Sequence, residues 1–266
     1  MKKVVLAALI GSAFISAPLV ASADEAPAAP AAAPAPNFTA NAGIFNDYRF
    51  RGFTQTGYKT AYQGGFDYAF GDSGFYVGNW NSNVEQALYN GASLESDLYG
   101  GYKGALGDFG YDVGYIYYYY ANSGALGSTK IKNGEAYVGG SYGPVSAKYY
   151  YATTHFFSAG EGPSYAPADT KGSGYLVVSA TFDLGGGLGV TGHYGYQKIK
   201  NGKLLFIKDS VSDYQVGVTY DIAGSGWIGG ASVVGTSEKN LFTTGESGFA
   251  KGAGKTGVVV SVSKVF

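Results

Sequence analysis

The sequence predicts an all-β protein: a transmembrane, antiparallel, up-and-down β-barrel of about twelve strands, with ten and fourteen as the alternative counts. Three observations predict it. From Phe38 onward apolar and polar residues alternate with a period of two, the spacing that puts successive side chains on opposite faces of a strand. The links between these segments switch strictly between short glycine-containing turns and long polar stretches. The chain begins with an export pattern yet contains no cysteine, so sheet closure rather than disulfides must stabilise the exported part.

Residues 1–23 read as a secretory signal. Lys2 and Lys3 are followed by an apolar stretch from Val4 to Phe14, and Ala21-Ser22-Ala23 has the small residues a signal peptidase accepts. Residues 24–36 are dominated by Ala and Pro and read as an extended periplasmic linker with nothing to pack. Residues 37–266 are assigned to the barrel. Of 266 residues 44 are Gly, 25 Tyr and 16 Phe, while only 14% are charged, which suits tight turns, strands and membrane interfaces. The formal net charge of −1 offers no basic footprint for nucleic acid.

The first strand sets Phe38, Ala40, Ala42, Ile44, Tyr48 and Phe50 on one face, with Asp47, Arg49 and Arg51 on the other. Equivalent alternation recurs at 62–70, 94–103, 109–119, 135–142, 145–151, 176–183, 188–197, 213–221 and 258–266, and less clearly at 75–83 and 227–235. A soluble sandwich would also alternate, turning its apolar row toward a core. A barrel in lipid turns that row outward. The apolar rows contain no Asp or Glu, and their one Lys is Lys264 near the chain end, where it can reach an interface.

Aromatic residues of these rows gather near the strand ends. Tyr48, Phe50, Tyr62, Tyr117, Tyr119, Tyr149, Tyr151, Tyr194 and Tyr196 are expected to form one girdle. Phe70, Phe75, Tyr102, Phe109, Phe182, Tyr220, Trp227 and Phe266 are expected to form the other. Long segments at 51–60, 81–93, 121–133, 154–173, 198–212 and 236–254 are expected as extracellular loops, and the short turns as periplasmic ones. Lipid cannot satisfy an open strand edge, so the first and last strands must pair. The last strand ends at Phe266, a terminal aromatic suited to engagement with the barrel-assembly machinery.

The stretch Asn41-Ala-Gly-Ile-Phe-Asn-Asp-Tyr-Arg-Phe-Arg-Gly-Phe-Thr-Gln-Thr56 resembles the opening motif of a proteobacterial family of conserved hypothetical proteins, labelled Gcw_chp or TorF-like porins. Gln63–Tyr68, Gly74–Asn83, Glu95–Tyr102 and Tyr111–Gly114 are similar to the same family. The resemblance implies an outer-membrane barrel with a pore role and carries over no catalytic residue.

The inward rows bring together the candidate site residues. These are Asp47, Arg49, Arg51, Asp67, Glu95, Asp97, Lys103, Asp112, Glu135, Lys148, Asp183, His193, Asp213 and Asp221. Their acid excess motivates the expectation of a passive channel for small hydrophilic solutes or ions with weak cation preference. A structural or adhesive barrel without an open pore is the alternative, and an outer-membrane hydrolase a further one. The two histidines, His155 and His193, show no serine pairing, so no catalytic residue, metal site or cofactor is assigned. The expected partners are outer-membrane lipid, the assembly machinery and small solutes, and the expected location is the bacterial cell outer membrane.

Overall fold

A computed structural model of the chain describes residues 37–124, 128–163, 165–206, 208–244 and 251–266. The expected signal and linker lie outside the described residues. Twelve antiparallel strands close into one barrel. They are β1 (Phe38–Phe45), β2 (Ala61–Ala69), β3 (Phe75–Asn83), β4 (Leu94–Leu106), β5 (Phe109–Ala121) and β6 (Lys132–Tyr142). The second half comprises β7 (Val145–Ala152), β8 (Gly174–Asp183), β9 (Leu188–Lys198), β10 (Ser210–Asp221), β11 (Trp227–Thr236) and β12 (Gly257–Val265). The two segments that alternate less clearly, 75–83 and 227–235, are full strands.

Each strand pairs with its sequence neighbour, and β1 closes on β12 in the register Asn41↔Val265 to Phe45↔Ser261. Phe266 extends the seam: its N–H donates to Ala40 O at 2.9 Å, and Ala40 N–H donates to Phe266 O at 3.3 Å. No barrel edge is left for another chain to pair with.

The outer surface is apolar. Tyr62, Val216 and Val258 are 63%, 62% and 59% exposed, and the neighbouring strands present equivalent residues. Water would penalise such a surface, and hydrocarbon would not. Lys264 donates to the Ser225 carbonyl in the last short turn and lies 5.6 Å from the Trp227 ring centroid, away from the middle of the wall. The two aromatic groups fall near opposite ends of the outer face with two exceptions. Tyr48 and Phe50 are buried, 4% and 8% exposed, and belong to no girdle.

The reason lies at the end of β1. Alternation continues to Arg51, but the strand stops at Phe45. Asn46 ends the ladder by substituting its side chain for backbone: Nδ2 donates to Val258 O at 3.1 Å, and Oδ1 accepts from Val260 N–H at 2.9 Å. Arg51 and Gly52 then take left-handed backbone, φ 47° and 82°, and the chain turns back on itself. A two-residue hairpin, Arg49–Phe50 against Phe53–Thr54, forms inside the first long loop. That loop, residues 46–60, folds into the barrel instead of extending its wall.

Candidate lumen constriction

Inside the barrel, tyrosine and glycine face one another across strands. Tyr76 stands opposite Gly101, Tyr99 opposite Gly78, and Tyr137 opposite Gly114. Each ring lies where a side chain on its partner would be. A Cβ on Gly101 would sit 2.7 Å from the Tyr76 hydroxyl. Laying rings flat over inward glycines fills a narrow barrel and leaves the hydroxyls for polar contacts.

Near the short-turn end the inward charges are half-buried, and Asp112 and Lys148 form an ion pair. Asp67 accepts from the Tyr99 hydroxyl at 2.7 Å. Asp112 accepts from Lys148 Nζ at 2.7 Å and from the Tyr76 hydroxyl at 2.7 Å. Lys103 Nζ lies 5.1 Å from the Tyr76 ring centroid, a cation–π distance. Asp183 departs from its expected place: it is exposed at a short turn, where it accepts from Gly185 N–H at 2.8 Å. Asp221, half-buried, sits at the same end of its strand. Both lie too close to the turns to join the central network.

At the long-loop end the interior is filled. Asp47 holds the first loop's shape, accepting from Arg49 Nε at 2.5 Å, Thr54 Oγ1 at 2.5 Å and Thr56 Oγ1 at 3.1 Å. Arg49 also donates to Gly52 O at 3.1 Å and to Lys255 O at 2.8 Å, which ties the first loop to the last. Thus Asp47, Arg49 and Arg51 are loop residues, and not the wall residues the alternation suggests.

Arg51 crosses the interior. Its Nη2 donates to Glu135 Oε2 on β6 at 2.6 Å, its Nη1 donates to Gln197 Oε1 on β9, and its guanidinium lies 4.2 Å from the Tyr175 ring centroid on β8. The Tyr118 hydroxyl adds a 3.3 Å hydrogen bond to the same Glu135 oxygen. Burial by itself would lower the Arg51 pKa, but the adjacent Glu135 carboxylate together with Tyr118 and Tyr175 offsets this and holds it above the ordinary value. Beside this latch, His193 Nε2 is 2.7 Å from Asp213 Oδ1, which also accepts from the Tyr175 hydroxyl at 3.2 Å.

Glu95 and Asp97 project from β4 into the same region, 1% and 4% exposed. Neither forms an ion pair among the described residues. The Tyr48 hydroxyl donates to Glu95 Oε1 at 3.3 Å. Burial and the neighbouring Glu95 and Asp97 carboxylates push the Tyr48 pKa well up, so it remains a donor. Sequence reasoning missed Gln197 and the inward tyrosines Tyr118, Tyr120, Tyr150 and Tyr175 as members of this cluster. Their signal was inward parity: Tyr118 and Tyr120 stand opposite Asp97 and Glu95, Tyr150 opposite Tyr137 and Tyr175, and Tyr175 opposite Gln197.

His155 lies apart in the fourth long loop, its Nε2 3.7 Å from Glu161 Oε1 and 3.9 Å from Asp169 Oδ1. Among the described residues no three His, Cys, Asp or Glu side chains are placed to hold a metal.

The closed twelve-stranded antiparallel barrel is a fold this chain shares with solved outer-membrane porins. The chain is similar in fold to the KdgM porin, at 12% identity and TM-score 0.52, over 86% of this chain and 99% of that one. It is likewise similar to the NanC porin, at 9% identity and TM-score 0.53, over 85% and 98%. A further KdgM structure, titled as a complex with disordered oligogalacturonate, matches at 10% identity and TM-score 0.50, over 86% and 98%. By sequence the chain belongs to the Gcw_chp family, described as bacterial proteins of unknown function, which matches residues 28–266. No curated protein matches it.

Proposed function

We propose that the protein is a constricted passive channel of the bacterial outer membrane for small hydrophilic solutes or ions, with weak cation preference. In this reading the six long loops face outside and the short turns face the periplasm. The observation that carries it is the Arg51–Glu135 latch, which narrows a charged interior to whatever path remains around one inward loop. The sign of the preference rests on the interior charges. Five carboxylates (Asp47, Asp67, Asp112, Glu135 and Asp213) face four permanent cations (Arg49, Arg51, Lys103 and Lys148), while Glu95 and Asp97, buried without an ion pair, count as neutral carboxyls. Arg49, Arg51 and Lys148 each pair with an acid, so the excess is negative. The same excess argues against a polyanion such as the oligogalacturonate named for the KdgM complex.

Planar-bilayer recording in a KCl gradient tests the proposal. Small discrete steps with a reversal potential on the cation side are expected; a clear anion preference rejects the sign. A second reading, a structural or adhesive barrel without an open pore, draws on the complete burial of Tyr118, Tyr120 and Glu135 behind the first loop. Persistent silence of the folded barrel would favour it.

A further inference from the structure

Beyond the latch, toward the long loops, lies a cavity of about 130 Å³. Every long loop contributes an apolar side chain to its lining: Phe53, Leu88, Ile131, Phe157, Ile199 and Phe242 in chain order. Phe53, Ile131 and Ile199 are buried, 5%, 5% and 0% exposed. Aromatic contacts brace the walls, with Phe53 and Phe242 ring centroids 4.9 Å apart at 73°.

All but one of the polar groups at its floor that belong to Arg51, Thr54, Gln55 and Gln197 are engaged by protein; the exception is Arg51 Nε, a buried N–H without a partner. Thr54 Oγ1 donates to Asp47 Oδ1 at 2.5 Å. Gln55 Nε2 donates to Phe53 O at 2.7 Å, and its Oε1 accepts from the Tyr89 hydroxyl. Gln197 Nε2 donates to Gly174 O at 3.0 Å and its Oε1 accepts from Arg51. The Arg51 charge is answered by Glu135. A buried water needs two to four polar partners, and Arg51 Nε offers it one. Sealed apolar cavities of roughly 150 Å³ accept benzene-sized guests, and this one, of similar volume and mostly apolar lining, is open on one side.

We infer that this cavity is a binding site for a small, neutral, apolar molecule of about the size of one aromatic ring. The ligand class follows from volume, lining and the absence of unanswered charge at the floor. An anion would meet an arginine already neutralised, and a cation would have to leave its hydration for a wall of rings and methyl groups. The site is distinct from the charged interior below Arg51, and it stands whether or not that interior conducts.

The test uses the full mature barrel in lipid nanodiscs with ¹³C-labelled isoleucine methyls, titrated with benzene. Ile131 and Ile199 line the cavity, while Ile44 and Ile222 are exposed on the outer surface and report partition into lipid. Saturable ring-current shifts are expected at Ile131 and Ile199, against linear drift at Ile44 and Ile222. Leu88→Trp, which fills the cavity from the second loop, is expected to weaken the saturable response by about ten-fold or more. Phe242→Trp is the second filling variant should the first fail to fold. Linear, unsaturable shifts at Ile131 and Ile199 in the unmodified barrel would overturn the inference. So would saturation that a folded filling variant leaves unchanged.

Discussion

Arg51, carried on the loop after the first strand, places its Nη2 2.6 Å from Glu135 Oε2 on β6, on the far side of the barrel. Because β1 and β6 lie five strands apart in a ring of twelve, this one ion pair spans the interior. The chain has only two arginines, and both lie in this loop.

Removing one partner leaves the other buried and uncompensated, at a cost of about 3–5 kcal/mol. Glu135→Gln is therefore expected to undock the first loop while the barrel, closed by backbone pairing, persists. Trypsin checks this. The unmodified folded barrel should resist cleavage after Arg51, whereas Glu135→Gln should be cut there and still migrate as a folded, heat-modifiable species. Equal resistance of the two would show that the pair does not hold the loop.

Interior charge sets the ion preference in this account. Lys148→Gln leaves Asp112 without its ammonium partner and should move the reversal potential further to the cation side. Asp67→Asn should move it the other way. Reversal potentials measured in a fixed KCl gradient read both shifts, and a common direction for the two variants would remove the electrostatic explanation.

The tyrosine–glycine pairs define how tightly the interior is filled. A Cβ at Gly101 would approach Val113 O to 2.5 Å and the Tyr76 hydroxyl to 2.7 Å. Gly101→Val is expected to destabilise the barrel by about 1–3 kcal/mol through overpacking. The change should appear as a lower midpoint for heat conversion in detergent. An unchanged midpoint would mean that Tyr76 swings clear at no cost.

The seam between first and last strands depends on the final residue. Deleting Phe266 removes two backbone hydrogen bonds to Ala40, each worth about 0.5–1.5 kcal/mol. It also removes the terminal aromatic proposed to engage the assembly machinery. A lower heat-conversion midpoint of the refolded barrel reports the first loss. A lower folded fraction in cells, beyond that seen on refolding, reports the second.

Much of the fold was legible because a lipid-facing strand must keep strict alternation, and β10 with Tyr214, Val216, Val218 and Tyr220 outward shows it plainly. The strand that failed was β1. Tyr48 and Phe50 continue the outward parity beyond Phe45, so periodicity alone prolongs the strand. Only the side-chain ladder ending at Asn46 and the left-handed Arg51 reveal the inward turn. The carboxylates Glu95, Asp97 and Glu135 could be placed by parity. Their pairing could not, because Arg51 reaches Glu135 across 84 residues of sequence and five strands of curvature. Asp183 illustrates the opposite error: parity turns it inward, but its position at a turn exposes it.

Single-channel conductance of the unmodified barrel and of Arg51→Ala, recorded in the same bilayer and salt, decides whether the first loop narrows the channel. Small, cation-preferring steps are expected for the former. Several-fold larger steps are expected for the variant, whose first loop no longer spans the interior. Identical steps, or silence from both folded proteins, would contradict a channel narrowed by this latch.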